Sequence, residues 1–333
     1  MTDRLVTLAD IEKAWRALQG KVVHTPTVHS VSLSEMMGLP VYLKLEHRQT
    51  TGSFKLRGAT NALSQLSAAE KQRGVVAAST GNHGRALAYA AHLEGIRAVI
   101  CMSRLVPQNK VEEIRRLGAE IRIIGKSQDD AQEEVDRLVH EDGLIIVPPF
   151  DNAAVIAGQG TLGLEIVDAV PDVDTVLIPV SGGGLASGVA AAIKAKRPHA
   201  KIIGISMNRG AAMRASLDAG KPVLVEESES LADSLGGGIG IDNQFTFALV
   251  RDLLDDVILL SEEEIAAGMI HAYMHEREII EGAAAVGIGA LLAGKVQAKG
   301  PIVAILSGRN VDMNQHRGIV CTDINERAEP CPA

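Results

Sequence analysis

Lys55 stands among small and apolar residues in the segment 53–59, SFKLRGA, which follows a strand-like run. Burial disfavours the charged form of a lysine, so a lysine in a desolvated pocket more often presents a free amine that can attack a carbonyl carbon. Most lysines, however, are solvated surface charges, and Phe54 could equally be an ordinary core residue. The segment therefore indicates a candidate nucleophile whose role depends on its companions.

Three further segments combine glycine with hydroxyl or amide side chains, each after an apolar strand-like run: 79–84 (STGNHG), 181–185 (SGGGL) and 307–310 (SGRN). The glycines of 181–185 would let backbone N–H groups converge on a phosphate at the positive end of a helix. Segment 79–84 would offer the N–H groups and hydroxyls of a helix start to a carboxylate. The simpler alternatives are a flexible turn and an N-capping loop.

Taken together and in this order, the four segments resemble the fold-type II pyridoxal-phosphate enzymes, and within them the serine/threonine dehydratase and serine racemase group. The resemblance spans about residues 15–320. It implies a tryptophan synthase β-like α/β fold, with two open, twisted, mostly parallel sheets and flanking helices. It also implies pyridoxal 5′-phosphate as the cofactor. Segments 232–238 and 307–310 look most like the dehydratases of hydroxyectoine catabolism.

The resemblance implies a role for each matching residue. Lys55 forms a Schiff base with the cofactor and then removes the Cα proton of the substrate. The implied cofactor contacts are Phe54 on the ring face, Asn82 at the ring hydroxyl, Gly182, Gly183, Gly184 and Leu185 at the phosphate, and Ser307 at the pyridine nitrogen. The implied substrate contacts are Ser79, Thr80, His83 and Arg309.

Several of these positions also bear on the reaction. The form Gly-Asn-His-Gly at 81–84 favours dehydratases over the cysteine synthase branch, which usually has Gly-Asn-Thr-Gly. Thr80 occupies the position where the racemase branch has a serine that protonates Cα, so it is a candidate catalytic residue, but its type argues against racemisation. A hydroxyl at Ser307 supports a protonated pyridine ring less well than a carboxylate, which favours elimination; otherwise Ser307 would simply cap a helix.

Arg309 departs from the family, which usually has glycine there. Its guanidinium would either hold an oxygen of the substrate or form a structural salt bridge.

No metal site is expected. Metal-activated relatives carry acidic ligands at positions that are Ser206, Gly210 and Ala212 here, and a divalent cation needs oxygen ligands such as carboxylates. His271 and His275 have the i, i+4 spacing of a possible transition-metal pair. Because no third ligand is in view, we expect them on a solvated or interface face.

Strand-like and helical patterns alternate along the chain, which is typical of a parallel sheet. By resemblance, residues 75–148 form a small domain inserted into a large cofactor-binding domain of residues 1–74 and 149–322, with the cofactor in the cleft between them. Residues 323–333 are expected to form a frayed tail. The second glycine cluster, 235–240, is expected to be a loop near the site, and 282–294 a closely packed helix.

The composition narrows the class of protein. The 333 residues are 46% hydrophobic and 2% aromatic with a net charge of −8, so neither a nucleic acid nor an anionic membrane is an expected partner. Three cysteines without paired spacing indicate reduced thiols and a cytoplasmic protein. No signal peptide or membrane span is expected. The resemblance suggests a homodimer.

These observations predict a lyase that removes water from a β-hydroxy α-amino acid, with deamination, as threonine and serine dehydratases do. The substrate would be a small amino acid. Two alternatives stay open within the same fold: a β-replacement synthase, and a hydroxyaspartate dehydratase or racemase. A catalytically silent metabolite-binding protein is the non-enzymatic alternative, against which the presence of Lys55 argues.

Overall fold

A computed structural model describes residues 6–79, 81–104, 106, 108–126 and 128–327 of the chain. The strands are β1 (Thr27–Ser30), β2 (Val41–Lys44), β3 (Val75–Ala78), β4 (Ala98–Met102), β5 (Glu120–Ile123), β6 (Ile145–Ile146), β7 (Thr175–Pro179), β8 (Lys201–Met207), β9 (Asp256–Leu260) and β10 (Ile302–Ile305).

The α-helices are α1 (Leu8–Leu18), α2 (Val31–Met37), α3 (Lys55–Ser64), α4 (Ala68–Arg73), α5 (Asn82–Leu93), α6 (Gln108–Arg116), α7 (Gln128–Asp142), α8 (Ala153–Ala169), α9 (Gly184–Lys196), α10 (Ala212–Ala219), α11 (Thr246–Leu253), α12 (Glu262–His271), α13 (Gly282–Leu292) and α14 (Met313–Arg327). Short 3₁₀ turns cover Glu46–Arg48 and Asp233–Leu235, and a π-helical turn covers Ala272–Glu276.

The strands form two sheets. The larger has the order β1-β2-β10-β7-β8-β9, in which the β1–β2 pair is antiparallel and the other pairs are parallel. The smaller has the order β5-β4-β3-β6 and is parallel throughout. The predicted α/β fold, with mostly parallel sheets and flanking helices, is confirmed.

The sequence of the central strands explains why helices cover both faces of the larger sheet. Every residue of β7 and of β10 is buried, as continuous apolar runs of parallel strands require. Successive residues of β10 point to opposite faces, so that Val303 packs with helices α8 and α9 while Ala304 packs with α13.

Helix α13 is the closely packed helix that the small-residue segment 282–294 predicts. A Cβ atom on Gly289 would lie 2.5 Å from the backbone oxygen of Glu264 in α12, so only glycine allows the two backbones to approach this closely. Its residues from Gly282 to Leu291 are buried.

The two sheets are built from different stretches of the sequence. Strands β3–β6 come from residues 75–146, and the strands of the larger sheet lie before and after them in the sequence. The division into domains 1–74 plus 149–322 and 75–148 stays a prediction.

The frayed tail expected from residue 323 stays a prediction; the structure continues α14 to Arg327. The prolines that suggested the tail, Pro330 and Pro332, lie beyond the described residues. Among the residues described, no helix is both long and apolar enough to cross a membrane.

Candidate active site

Lys55 is the first residue of α3, and the residues before it are attached to the end of β10. Ser53 forms an isolated antiparallel bridge with Gly308, and the N–H of Phe54 donates to the carbonyl oxygen of Ser307 at 3.1 Å. The predicted lysine and serine segments are therefore neighbours, although about 250 residues separate them in the chain. Ser53 is fully buried, and its hydroxyl has no hydrogen-bond partner among the described residues.

The amine of Lys55 is held by the main chain rather than by a carboxylate. Nζ donates to the carbonyl oxygen of Pro149 at 2.8 Å and lies 5.3 Å from the ring centroid of Phe54. Burial lowers the pKa of Lys55 to about 8, and the charge of Glu281 opposes this shift. A substantial fraction of the amine is therefore uncharged in mildly alkaline solution, as a nucleophile or base requires.

The glycine segment adjoins this lysine. Gly183, with φ of 89°, precedes the first turn of α9, and Gly182 and Gly184 lie against Phe150, the residue after Pro149. A Cβ atom at Gly182 would lie 2.3 Å from the Phe150 ring, and one at Gly184 would lie 2.9 Å from the Phe150 Cα. The N–H groups of this loop lie at a helix start, where Gly182, Gly183 and Gly184 have no side chains to obstruct an anion.

Leu185, the second residue of α9, buries its side chain in the core of the larger sheet, so only its backbone N–H is available to the glycine loop. The second glycine cluster lies beside this loop, because the Ser181 hydroxyl donates to the Gly236 carbonyl oxygen at 3.4 Å.

Helix α5 begins at Asn82, within the segment whose composition predicts a helix start. The Ser79 hydroxyl accepts a hydrogen bond from the Gly84 N–H at 3.0 Å, which is the capping role that the sequence left open. Thr80, the candidate proton donor, lies outside the described residues.

His83 is buried and bonded to the main chain. Its Nε2 lies 2.7 Å from the Val147 carbonyl oxygen, so Nε2 carries the proton that is donated. Burial, reinforced by the charge of Lys55, lowers the pKa of His83 to about 3. His83 is thus a neutral residue whose Nε2–H is already used, and a substrate contact through that atom is not supported.

Glu281 is a site residue that the motifs did not predict, and Asn310, the last residue of the motif 307–310, was not among the predicted contacts. Asn82 Nδ2 donates to Glu281 Oε1 at 2.8 Å, and Asn310 Nδ2 donates to Asn82 Oδ1 at 2.5 Å. Glu281 is only 3% exposed, and burial together with the charge of Asp233 raises its pKa to about 7. A glutamate flanked by apolar residues in 279–286, IIEGAAAV, was the only sequence signal for this acid.

A buried ionic cluster was also missed. Arg57 is fully buried and donates to the carboxylates of Glu46 and Glu165, while Lys44 donates to Glu165 and to the Thr25 carbonyl oxygen. Two cations and two carboxylates therefore join α3, which carries Lys55, to β2 and α8. The sequence signal for this cluster was the presence of charged residues inside apolar runs, such as Lys44 in VYLKL.

Ser307 lies at the end of β10 and is 3% exposed. The alternative that it caps a helix is wrong, since the next helix starts only at Met313. Arg309 is exposed, and its charge acts on His47 rather than on Lys55. The predicted contact of Arg309 with substrate is therefore not supported by its position.

The positions considered for metals have other roles. Ser206 pairs within β8, Gly210 has a φ of 64°, and Ala212 begins α10. Of the two histidines expected on a solvated or interface face, His275 is exposed, whereas the His271 side chain is 11% exposed and contacts Ser32 and Glu276. No group of three metal-ligating side chains occurs among the residues that the structure describes.

Known proteins are similar to this chain in sequence and in fold. A protein of Sinorhizobium fredii named "Putative threonine dehydratase" is 63% identical over 316 residues, which are 95% of this chain and 95% of that protein. An L-threonine ammonia-lyase of Thermotoga maritima is 43% identical over 311 residues, 93% of this chain and 77% of that protein. The structure of maize serine racemase has a TM-score of 0.90 at 32% identity, covering 98% of this chain and all of the racemase.

The family described as "Pyridoxal-phosphate dependent enzyme" matches residues 18–308, a range that contains Lys55, Asn82, the glycine loop and Ser307. With this match and with relatives that are similar over 77–95% of their length, the chain belongs to the pyridoxal-phosphate dependent enzymes of the threonine dehydratase and serine racemase type.

Proposed function

We propose that this protein is an ammonia-lyase that eliminates water from a β-hydroxy α-amino acid, after which hydrolysis by one water molecule releases ammonia and leaves a 2-oxo acid. The observation that carries the proposal is the desolvated amine of Lys55 beside a glycine loop at a helix start. The names of the relatives, a threonine dehydratase and an L-threonine ammonia-lyase, support the same reaction class. Within this class we propose the dehydration step of hydroxyectoine catabolism, on the resemblance of segments 232–238 and 307–310.

The residues present fit pyridoxal phosphate. The amine of Lys55 is the group that an aldehyde needs, and the glycine loop places no side chains beside the start of α9. The N-terminus of α9 offers N–H groups and a positive dipole end to a phosphate. By the family resemblance, Phe54 would contact the ring face, Asn82 the ring hydroxyl and Ser307 the ring nitrogen.

When bound, pyridoxal phosphate supplies an aldehyde for covalent attachment and a conjugated ring that withdraws electrons from the substrate Cα. The protein supplies the proton transfers. Lys55 takes the Cα proton, which its lowered pKa makes feasible near neutral pH. The hydroxide at Cβ then leaves with a proton as water, and hydrolysis of the remaining C–N bond gives the 2-oxo acid and ammonia.

The start of α5 orients the substrate in this proposal. Its N-terminal N–H groups face an anion favourably, so the α-carboxylate would bind beside Ser79 and Gly81. His83 stays neutral and holds α5 against Val147, so it positions this helix rather than exchanging protons.

A substrate panel tests the proposal. The holoenzyme would be given threonine, serine, 3-hydroxyaspartate and a hydroxylated diaminobutyrate, and release of 2-oxo acid and ammonia would be measured for each. We expect equal amounts of both products, with the highest kcat/KM for the hydroxylated diaminobutyrate. Turnover only of an activated serine with sulfide would instead indicate a β-replacement synthase, and inversion at Cα without ammonia release would indicate a racemase.

We also propose, on the family resemblance, that the enzyme is a cytoplasmic homodimer with its cofactor in the cleft between two domains. Analytical ultracentrifugation of the holoenzyme at micromolar concentration tests the assembly. A single species of twice the 35.1 kDa chain mass is expected, and a monomer would contradict it.

A further inference from the structure

The side-chain amide of Asn82 forms two hydrogen bonds, one from its nitrogen and one to its oxygen, with residues next to elements of the larger sheet. Asn82 begins α5, which packs on the smaller sheet, whereas Glu281 precedes α13 and Asn310 follows β10 of the larger sheet. Glu281 Oε1 accepts from Asn82 Nδ2 at 2.8 Å, and Asn310 Nδ2 donates to Asn82 Oδ1 at 2.5 Å. These two bonds join the elements on either side of the site.

The two bonds also fix which way the amide points. An ionised carboxylate only accepts hydrogen bonds, so Asn82 must present Nδ2 to Glu281. Asn310 Nδ2 also donates to the Thr51 carbonyl oxygen at 3.0 Å, and a carbonyl likewise only accepts, so Asn310 must present Nδ2 to Asn82 Oδ1. One Asn82 Nδ2 hydrogen then stays without an acceptor among the described residues.

Packing and hydrogen bonds hold the carboxyl group of Glu281 beside Asn82. A Cβ atom at Gly308 would lie 2.5 Å from Glu281 Oε1, so the carboxyl occupies the space that a side chain there would take. The N–H of Glu281 donates to the Gly308 carbonyl oxygen at 3.1 Å, and Ser234 and the Asn310 N–H also bond the carboxyl.

We propose that Glu281 is a positioning residue that, with Asn310, holds the Asn82 amide so that its second Nδ2 hydrogen is directed to the ring oxygen of pyridoxal phosphate. This role rests on the proposed function only in requiring that the cofactor binds at Lys55. It concerns cofactor affinity and does not depend on which amino acid is the substrate.

The charged groups around Glu281 give the role a pH dependence. Lys55 on α3 and Arg85 on α5 attract the carboxylate, whereas Asp233 in its 3₁₀ turn repels it. Because the pKa of Glu281 is raised to about 7, the carboxylate that orients Asn82 is present above this pH and is lost below it.

The test compares the cofactor dissociation constants of the full-length wild-type protein and Glu281→Gln by equilibrium dialysis. An amide can turn either its oxygen or its NH₂ group toward Asn82, so it no longer fixes the orientation. Loss of a hydrogen bond to a charged group predicts about tenfold weaker binding at pH 8.5. At pH 5.5, where Glu281 is protonated, the ratio should approach one. The exposed Glu35 provides the control Glu35→Gln, with no change at either pH.

A double-mutant cycle with Asn82→Ala distinguishes whether Glu281 acts by positioning the Asn82 amide or by supporting the fold in general. If Glu281 acts through Asn82, then adding Glu281→Gln to Asn82→Ala should leave the cofactor dissociation constant unchanged. Gly308→Ala, which displaces the carboxyl without removing it, should weaken binding as Glu281→Gln does. The same tenfold loss in both backgrounds, or a ratio independent of pH, would overturn the proposal. Failure of the wild-type protein to bind cofactor would instead overturn the proposed function.

Discussion

At the scale of single residues, the environment of Lys55 makes an otherwise ordinary side chain reactive. Its amine lies at the start of α3, is held by the Pro149 carbonyl oxygen, and has a pKa lowered to about 8 by burial. Lys44 is also buried, but Glu165 and Glu46 surround it with negative charge. Burial lowers the pKa of both lysines, but at Lys44 two carboxylates, Glu165 and Glu46, oppose the shift, whereas at Lys55 the opposing charge is that of Glu281.

Lys55→Ala is expected to abolish covalent cofactor attachment and to lower kcat by at least the 10²–10⁴-fold that a positioned general base contributes. The visible absorbance of the bound cofactor and the release of ammonia measure the two effects. The exposed Lys13 serves for the control variant Lys13→Ala, which should retain both. Near-normal turnover of Lys55→Ala would refute the assignment of this residue.

His83 should make the stability of the protein sensitive to acid. Its pKa is about 3 in the folded chain, below the ordinary value of 6.5, so the unfolded chain binds an additional proton between these two values. The free energy of unfolding therefore falls as pH falls from 6.5 toward 3. In His83→Gln this dependence should be weaker, whereas the exposed His199→Gln should match wild type. Urea unfolding at pH 7.5, 5.5 and 4 measures the slopes, and equal slopes for all three proteins would contradict this account.

At the scale of elements, the ionic cluster of Lys44, Glu46, Arg57 and Glu165 explains how α3 keeps Lys55 in place. Each charge is buried, and each has an opposite charge within hydrogen-bond distance. Such a cluster is sensitive to the loss of one member, since the remaining charges stay buried without compensation.

Glu165→Gln should lower the free energy of unfolding by about 3–5 kcal/mol, because two buried cations would then share only one carboxylate. The matched control is Glu12→Gln, which removes the exposed pair with Lys196 and should cost less than about 1 kcal/mol. Denaturant midpoints of both variants measure the difference. Similar losses in the two would mean that the buried cluster contributes no more than a surface pair.

The glycine loop before α9 depends on the absence of side chains. Gly182→Ala places a Cβ atom 2.3 Å from the Phe150 ring and should weaken cofactor binding at least about tenfold, as well as destabilise the fold by about 1–3 kcal/mol. Gly318→Ala in α14, where a Cβ atom meets nothing within 4 Å, should instead stabilise the protein by about 0.5–1 kcal/mol. Thermal unfolding and cofactor titration of both variants test the contrast; unchanged binding in Gly182→Ala would count against a phosphate role.

At the scale of the whole molecule, the sequence predicted those features that depend on a local pattern of residues. Apolar runs such as those of β7 and β10 predicted the parallel strands, and the ordered motifs predicted the family. Long-range pairs were not predictable in this way. Asn82 and Glu281 are 199 positions apart, and Arg57 and Glu165 are 108 apart, so only the folded chain brings them together.

For Arg309, the sequence shows the position in a motif but not the direction of the side chain. Its departure from the family's glycine indicated either substrate recognition or a structural salt bridge, but the position of a residue in a motif does not determine where its side chain points. The structure places it at the surface, acting on His47.

The whole enzyme should work without a divalent cation. The positions that bind metal in activated relatives are Ser206 within β8, Gly210 and Ala212, none of which offers a carboxylate. Ammonia release should therefore be unchanged after dialysis against a strong chelator, and adding magnesium or calcium should have no more effect than potassium chloride of equal ionic strength. The cofactor absorbance, followed in the same samples, controls for loss of pyridoxal phosphate. Activity that disappears with the chelator and returns with magnesium or calcium would show that other oxygen atoms of the chain bind a metal.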